Sequence, residues 1–300
     1  MLICWLMVCG PLYAKEQTGD PGVRKEMRFA ALPGIYRVVS RKDGRMALEL
    51  LMRKPSIQKT FPYSVKLDFL DPTLDEDIPD AIRKGGYHYV TLSTIDYYKY
   101  RHAVQLDPIL IPSKIDEGQE HLLLLVAKGQ TLTAIGQREE RSLIIESGAN
   151  GDLSRIWLDT LLADSGFARS EHFFTKISRV SKSSRAVLPV FFKQADACIV
   201  TRHALRVIQE LNPQIGQQVT SLHQSKGLVR VLICATDRPT PAEIEFLIQN
   251  TTHMGQNPES RQTMTLLQMK RFVEIYPQDL AATEALLTRH RETSVKRKRR

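Results

Sequence analysis

The sequence lacks the short motifs that mark many catalytic and metal-binding sites. It has no GxSxG elbow, P-loop or GxGxxG motif, and no paired-carboxylate signature. It also has no CxxC, HExxH or clustered His and Cys spacing that would hold a metal ion. We therefore expect no catalytic residues, no cofactor and no metal site.

Cysteine is scarce, with four residues in 300. Cys4 and Cys9 fall within the apolar start of the chain, while Cys198 and Cys234 lie in strand-like apolar runs. Buried free thiols are the preferred interpretation of Cys198 and Cys234. A disulfide in an oxidising compartment is the alternative.

Long apolar runs are also rare, and the main one is at the start, MLICWLMVCGPLYA. Residues 1–14 are too few to span a bilayer but fit the apolar part of a signal peptide cleaved after Ala14. We expect an exported, periplasmic protein whose mature chain begins at Lys15. Because Lys15 is the first cation, we also expect the true start to lie upstream. A buried strand or an uncleaved anchor is the alternative.

Positive charge is concentrated at the other end. The formal net charge is +9, of which Lys296–Arg300 contribute five, so that +4 remains for the rest of the chain. A mildly basic body fits an anionic ligand but argues against nucleic acid, which usually needs a basic face. We predict that the basic tail, residues 291–300, is disordered.

Three strand-turn-helix units follow one another between Arg141 and Arg202. The apolar runs Leu143–Ile145, 173–180 and Ala197–Thr201 each end in a polar turn, and a helical pattern follows. Such a series predicts a parallel sheet with its turns gathered at the carboxyl ends of the strands. These turns are rich in Ser, Gly, Asn and Thr, and helix N-termini of this kind suit a small anion.

The same alternation precedes this region, so we predict two lobes. Lobe one comprises residues 27–112 plus 228–290, and lobe two comprises residues 128–226. The chain crosses between them twice in extended stretches, and we expect the C-terminal helices to pack on lobe one. The fold class is therefore α/β and two-lobed, with a ligand cleft between the lobes.

The order of these segments resembles the type 2 periplasmic solute-binding proteins, within the phosphate/phosphonate-type ABC transporter branch. The matching stretches are DGRMALELL, AIRKGGYHYVTLSTIDYYKY, LLLLVAKGQTLTAIGQREERSLIIESGANGDLSRIWLDTLL and AVLPVFFKQADACIVTRHAL. The resemblance implies the type 2 fold, closing on a ligand. Thr201-Arg202 replace the acidic residue with which the family often holds a ligand amino group, and the Ser147 turn supplies one hydroxyl to the phosphate cradle.

Candidate ligand-binding residues lie in the turns that should line the cleft. They are Tyr36, Ser93, Thr94, Tyr97, Ser147, Gly148, Asn150, Ser181, Lys182, Thr201 and Arg202. Each has a plainer alternative: Ser93-Thr94 as an ordinary helix cap, Lys182 as a solvated surface residue, and Arg202 as a surface salt bridge.

These observations predict an exported, monomeric solute-binding protein that captures a small anionic ligand resembling a phosphonate, phosphate or carboxylate. Its partner would be an ABC permease or a membrane sensor, with no nucleic acid involved. An enzyme (transferase or lyase) built on the same fold is the alternative. A weaker third hypothesis is an anionic-surface or nucleic-acid binder that acts through residues 296–300.

Overall fold

The computed structural model describes residues 25–32, 42, 46, 62–71, 77–113, 118–146, 151–254, 260–261, 264–265 and 269–298. The predicted signal peptide, residues 1–14, lies outside the described residues, as do Tyr36, Ser147, Gly148 and Asn150. Within the described segments, no helix combines the length and the apolar character that crossing a membrane requires.

The described strands and helices alternate along most of the chain. The strands are β1 Glu26–Ala31, β2 Ser64–Phe69, β3 Tyr89–Ser93, β4 Asp107–Ser113, β5 Leu122–Ala127, β6 Ser142–Glu146, β7 Lys176–Val180, β8 Ala197–Thr201, β9 Val219–Gln224, β10 Val231–Ala235 and β11 Arg271–Glu274. The helices are α1 Ile78–Gly85, α2 Thr94–Tyr100, α3 Leu132–Gly136, α4 Gly151–Asp164, α5 Ser170–Phe173, α6 Ser183–Phe191, α7 Arg202–Leu211, α8 Gln214–Gln218, α9 Pro241–Thr252 and α10 Pro277–Lys298.

The first sheet has the strand order β11-β4-β10-β3-β1-β2. Strands β1, β2 and β3 are parallel, whereas β10 runs antiparallel to both β3 and β4. Apolar side chains cover both faces of this sheet. Leu232 and Cys234 of β10 belong to the core on one face, and Ile233 and Ala235 belong to the core on the other. A strand buried on both faces reads as a continuous apolar run, which explains the sequence VLICA.

The second sheet has the order β7-β6-β8-β5-β9, with β6, β7 and β8 parallel. Strand β5 runs antiparallel to β8 and β9. Leu122, Leu124 and Val126 pack on one face of this sheet, and Leu123 and Leu125 pack on the other. The first strand of this sheet along the chain begins at Leu122, whereas lobe two was predicted to begin at residue 128. The two-lobed α/β fold is thus confirmed.

Two short segments connect the sheets, one between β4 and β5 and the other between β9 and β10. They pair with each other through an antiparallel bridge between Glu120 and Leu228, with N–H···O distances of 2.9 and 2.8 Å. The Arg230 guanidinium also forms a salt bridge with the Glu120 carboxylate. We call residues 118–121 and 225–230 the crossing segments.

The C-terminal helix α10 differs from the prediction in two ways. It contacts both lobes, since Leu280 enters the core of the first sheet and Leu287 that of the second, and Arg289 pairs with Asp164 of α4 at 2.7 Å. Its helical backbone also continues to Lys298, into the stretch 291–300 that the sequence analysis predicts to be disordered. The reason is that buried leucines anchor the helix, that no Pro or Gly follows them, and that cations suit a helix C-terminus.

The remaining cysteines behave as the sequence suggested. Cys198 and Cys234 are free and buried, one in each sheet. Burial raises the pKa of both thiols above its ordinary value. Such thiols are structural rather than reactive groups.

Candidate ligand-binding site

In each lobe, three parallel strands end at one edge of the sheet. In the first sheet, the register of Ala31 with Phe69 and with Thr91 brings the carboxyl ends of β1, β2 and β3 together. In the second, β6, β7 and β8 end side by side at Glu146, Val180 and Thr201. In open α/β sheets, ligands bind outside such carboxyl ends.

The crossing segments bring the two edges close to each other. Ser93 of β3 pairs with Val231, and the Thr94 N–H donates to the Arg230 carbonyl at 3.0 Å. On the other side, Thr201 pairs with Leu122, and the Arg202 N–H donates to the His121 carbonyl at 2.8 Å. The predicted residues of both lobes therefore flank the same pair of segments.

Ser93 and Thr94 play different parts despite being neighbours. The Ser93 hydroxyl caps α2: it accepts from the Asp96 N–H at 3.1 Å and donates to the Asp96 carboxylate at 2.7 Å. Thr94 is fully buried, and its hydroxyl donates to the Val229 carbonyl at 2.8 Å. Both donors of Thr94 thus bind backbone carbonyls of the second crossing segment, and the side chain is fully enclosed, whereas Ser93 is partly exposed. Ser93 remains the candidate.

Tyr97 and Tyr98 of α2 also contact different parts of the structure. Tyr97 belongs to the core of lobe one, whereas Tyr98 packs against the cores of both lobes. The Arg101 guanidinium lies 4.5 Å from the centre of the Tyr98 ring, and burial raises the Tyr98 pKa to about 12. Of the pair, the residue at the junction of the lobes is Tyr98. Tyr97, which is 9% exposed, stays a prediction from the sequence.

At the edge of lobe two, the structure adds a residue that the sequence analysis missed. Glu146 ends β6, and its Oε1 accepts a hydrogen bond from the Ser183 hydroxyl at 2.7 Å. Its other oxygen, Oε2, is buried without a hydrogen-bond partner. The available signal was its place as the last residue of the strand, directly before the polar turn at 147–150. A carboxylate here accepts hydrogen bonds and repels anions.

The remaining predicted residues of lobe two sit at helix starts. Ser181 and Lys182 precede α6, and both side chains are exposed. The Thr201 hydroxyl caps α7 by accepting from the Ala204 N–H at 3.1 Å. The Arg202 side chain is exposed at the first position of the same helix. Lys182 and Arg202 thus place two cations along this edge.

The crossing segments contain further polar groups that were not predicted. The His121 ring Nδ1 lies 3.0 Å from the Ser225 carbonyl, and the Ser225 hydroxyl accepts from the Leu122 N–H at 2.8 Å. With Glu120 and Arg230 they form a polar junction embedded in apolar strands. In the described residues, no cluster of three His, Cys, Asp or Glu side chains could hold a metal ion.

Several solved structures have a fold similar to that of this chain. A binding protein component of an ABC phosphonate transporter from Pseudomonas aeruginosa has a TM-score of 0.58 at 13% identity, covering 91% of this chain and 89% of that chain. PhnD1 from Prochlorococcus marinus, in complex with methylphosphonate, has a TM-score of 0.55 at 12% identity, covering 88% and 97%. A Xanthomonas citri protein bound to ATP has a TM-score of 0.56 at 11% identity, covering 90% and 98%. These likenesses show the fold.

Among curated proteins, no sequence matches this chain. The family comparison is more direct, because residues 65–280 match the model of the ABC transporter phosphonate periplasmic substrate-binding proteins. That span includes both crossing segments, the carboxyl ends of β2 and β3 in the first sheet, and the edge of the second sheet at β6, β7 and β8. A family of this kind binds small molecules and serves a transporter rather than catalysing a reaction. The chain therefore belongs to the periplasmic phosphonate-binding proteins of ABC transporters.

Proposed function

We propose that this protein captures a small anion of the phosphonate, phosphate or carboxylate type by closure of its two lobes. The proposal depends on two strand pairings. Ser93 pairs with Val231 and Thr201 pairs with Leu122, and each of these partners directly follows a crossing segment. A hinge motion at these segments would bring the edges together around a ligand.

The charges at the two edges suggest how the ligand is oriented. The anionic group is best placed near Lys182 and Arg202, because Arg presents a planar fork that suits phosphonate and carboxylate oxygens. Glu146 would repel that group and is better suited to a hydrogen-bond donor on the ligand. From lobe one, the Ser93 hydroxyl would donate to the ligand by leaving the Asp96 carboxylate, to which it donates at 2.7 Å. The turn at 147–150 and Tyr36 remain predicted contacts on sequence grounds.

Titration calorimetry with methylphosphonate, phosphate and acetate tests this proposal. Arg202→Gln should weaken binding of the best anion by about tenfold or more, since hydrogen bonds to charged groups contribute about 1.5–3 kcal/mol. Arg206→Gln is the matched control, because Arg206 lies one turn further along α7 with its side chain largely exposed. Equal affinities of the two variants would contradict the placement of the anion.

We further propose that binding is reversible and that no reaction follows. Phosphorus NMR after long incubation with methylphosphonate should return the compound unchanged. Release of phosphate or any other product would favour the alternative, an enzyme on the same fold.

The proposal includes export and a monomeric state. N-terminal sequencing of the native protein should begin at Lys15, and an intact Met1 would contradict cleavage after Ala14. Light scattering coupled to gel filtration should give the mass of one chain. A stable dimer would contradict the monomer.

A further inference from the structure

Positive charge is concentrated in one part of lobe two. The segment from Lys176 to Leu211, which forms β7, α6, β8 and α7, holds seven Lys and Arg residues and two acidic residues, a net charge of +5. The whole chain carries +9 and Lys296–Arg300 contribute five, so all other residues together carry −1. The positive charge of the folded body is therefore a property of this segment.

All seven of these cations are exposed, and four of them lie at the carboxyl edge of the second sheet. Arg179 is next to the end of β7, Lys182 and Arg185 lie at the start of α6, and Arg202 is the first residue of α7. Since only β6 separates β7 from β8, the ends of these strands lie about 10 Å apart. The Debye length at 0.1 M salt is also about 10 Å, so the fields of the four cations overlap. We call these four residues the cationic rim.

The acidic residues of the same segment lie away from the rim. Asp196 precedes β8, where it accepts a hydrogen bond from the Ser142 N–H at 2.8 Å and pairs with Arg138. Glu210 faces Arg206, further along α7, at 3.9 Å. At the edge itself, the Glu146 carboxylate offsets one of the four positive charges. The rim and Glu146 together carry +3.

Helix stability does not explain the position of these cations. The N-terminus of a helix carries a partial positive charge, so acidic residues stabilise the first turn and cations destabilise it. The helices α1, α2 and α9 follow this rule, with Asp80, Asp96 and Glu243 in their first turns. The first turns of α6 and α7, which the structure describes completely, contain no acidic residue and begin beside rim cations instead. This arrangement works against both helices, which indicates a role outside folding.

We propose that the cationic rim attracts an anionic ligand to lobe two before the lobes close, and so sets the rate of capture. The inference rests on the proposed function, since it concerns the same anion and the same edge. Charges of one sign around a cleft concentrate oppositely charged ligands there and raise association rates by about 10- to 1,000-fold.

The rim residues would act in two ways. Lys182 and Arg202 are also the proposed contacts of the bound anion, whereas Arg179 and Arg185 would act on it from a distance. The corresponding edge of lobe one carries Asp96 in the first turn of α2. Because that carboxylate repels an anion, the ligand would meet lobe two first, and lobe one would then close over it.

The double variant Arg179→Gln, Arg185→Gln tests the inference, because it removes two rim cations that are not proposed contacts of the ligand. Stopped-flow mixing, followed by tryptophan fluorescence, gives the association and dissociation rate constants for the tightest binder among methylphosphonate, phosphate and acetate. At 0.1 M salt the association rate constant should fall about fivefold, with the dissociation rate constant little changed. At 1 M salt, where the Debye length is about 3 Å, the variant and the unmodified protein should associate equally fast.

The matched control, Lys176→Gln, Lys193→Gln, removes the same charge from the opposite ends of β7 and α6. Lys176 lies about 13 Å from the carboxyl end of its strand, and α6 separates Lys193 from the rim by a similar distance. At 0.1 M salt these charges are largely screened from the cleft, so the control should associate nearly as fast as the unmodified protein.

Two groups of results would overturn the inference. If the unmodified protein binds an anion but the rim variant and the control associate equally fast, or only dissociation changes in the rim variant, the rim does not steer the ligand and the cleft itself stands. If the unmodified protein binds none of the three anions, the proposed function is contradicted and the inference falls with it.

Discussion

Removal of one partner of the Glu120–Arg230 pair should destabilise the protein strongly. The two side chains are only 16% and 15% exposed, and they join the two crossing segments. In Arg230→Met the Glu120 carboxylate would be left in a largely dry environment without its counter-charge. Breaking a buried pair in this way costs about 3–5 kcal/mol, and we expect about 3 kcal/mol because the burial here is incomplete.

The double variant Glu120→Gln, Arg230→Met distinguishes two contributions to the loss of stability: the missing salt bridge, and the cost of a buried carboxylate without a counter-charge. Replacing both members of a buried pair by neutral groups is often close to neutral in stability. We therefore expect the double variant to recover most of the free energy of unfolding that the single variant loses. A double-mutant cycle would then give a coupling energy of about 2 kcal/mol.

Urea unfolding, followed by circular dichroism and by tryptophan fluorescence, is the appropriate assay. Arg206→Gln is the control, since its partner Glu210 is as exposed as Arg206 itself and such pairs contribute about 0–1 kcal/mol. Two results would contradict a stabilising Glu120–Arg230 salt bridge. One is an Arg230→Met variant that is no less stable than Arg206→Gln, and the other is a double variant whose loss of stability equals the sum of the two single losses.

Three further measurements test other parts of the structure. Leu287→Ala should lower the free energy of unfolding by about 2–3 kcal/mol because it opens a cavity between α10 and lobe two, whereas Leu211→Ala, at a position 83% exposed, should change little; similar effects in urea would argue against the packing of α10. Cys198 and Cys234 should resist iodoacetamide in the native protein and react after unfolding, since burial raises the pKa of both thiols; rapid native labelling would show that they are accessible. Burial raises the pKa of Glu243, but hydrogen bonds from Lys25 and Thr240 outweigh it and hold that pKa below its ordinary value of 4.5; the associated stability is present above pH 4.5 and lost as the pH falls through the lower folded value. The melting temperature should consequently fall more steeply in acid for the unmodified protein than for Glu243→Gln, and parallel curves would contradict this.

Much of the fold could be predicted from local patterns. The runs LLLLVA and VLICA are apolar at every position, which indicates strands buried on both faces, and each is an interior strand of its sheet. The polar residues Ser181 and Lys182 before α6, and Thr201 before α7, mark helix starts at the carboxyl ends of parallel strands. These signals involve residues close in sequence, so that periodicity and turn chemistry report them directly.

The site was predicted less completely, because adjacent residues differ in their long-range contacts. Whether Ser93 or Thr94 faces the cleft depends on how β3 meets the crossing segment, where Val229 and Arg230 take up both donors of Thr94. The choice between Tyr97 and Tyr98 likewise depends on where lobe two lies. Neither contact can be predicted from the spacing of residues along the chain.

The sequence by itself determined the alternation of strands and helices, the burial of the central strands, and the order that marks the family. Tertiary structure alone decided that Glu120 meets Arg230 and that α10 reaches from the hinge to lobe two. The physical reason is separation along the chain. Apolar burial and helix capping are properties of short segments, whereas an ion pair between residues 110 positions apart depends on the arrangement of both sheets, which places the two crossing segments side by side.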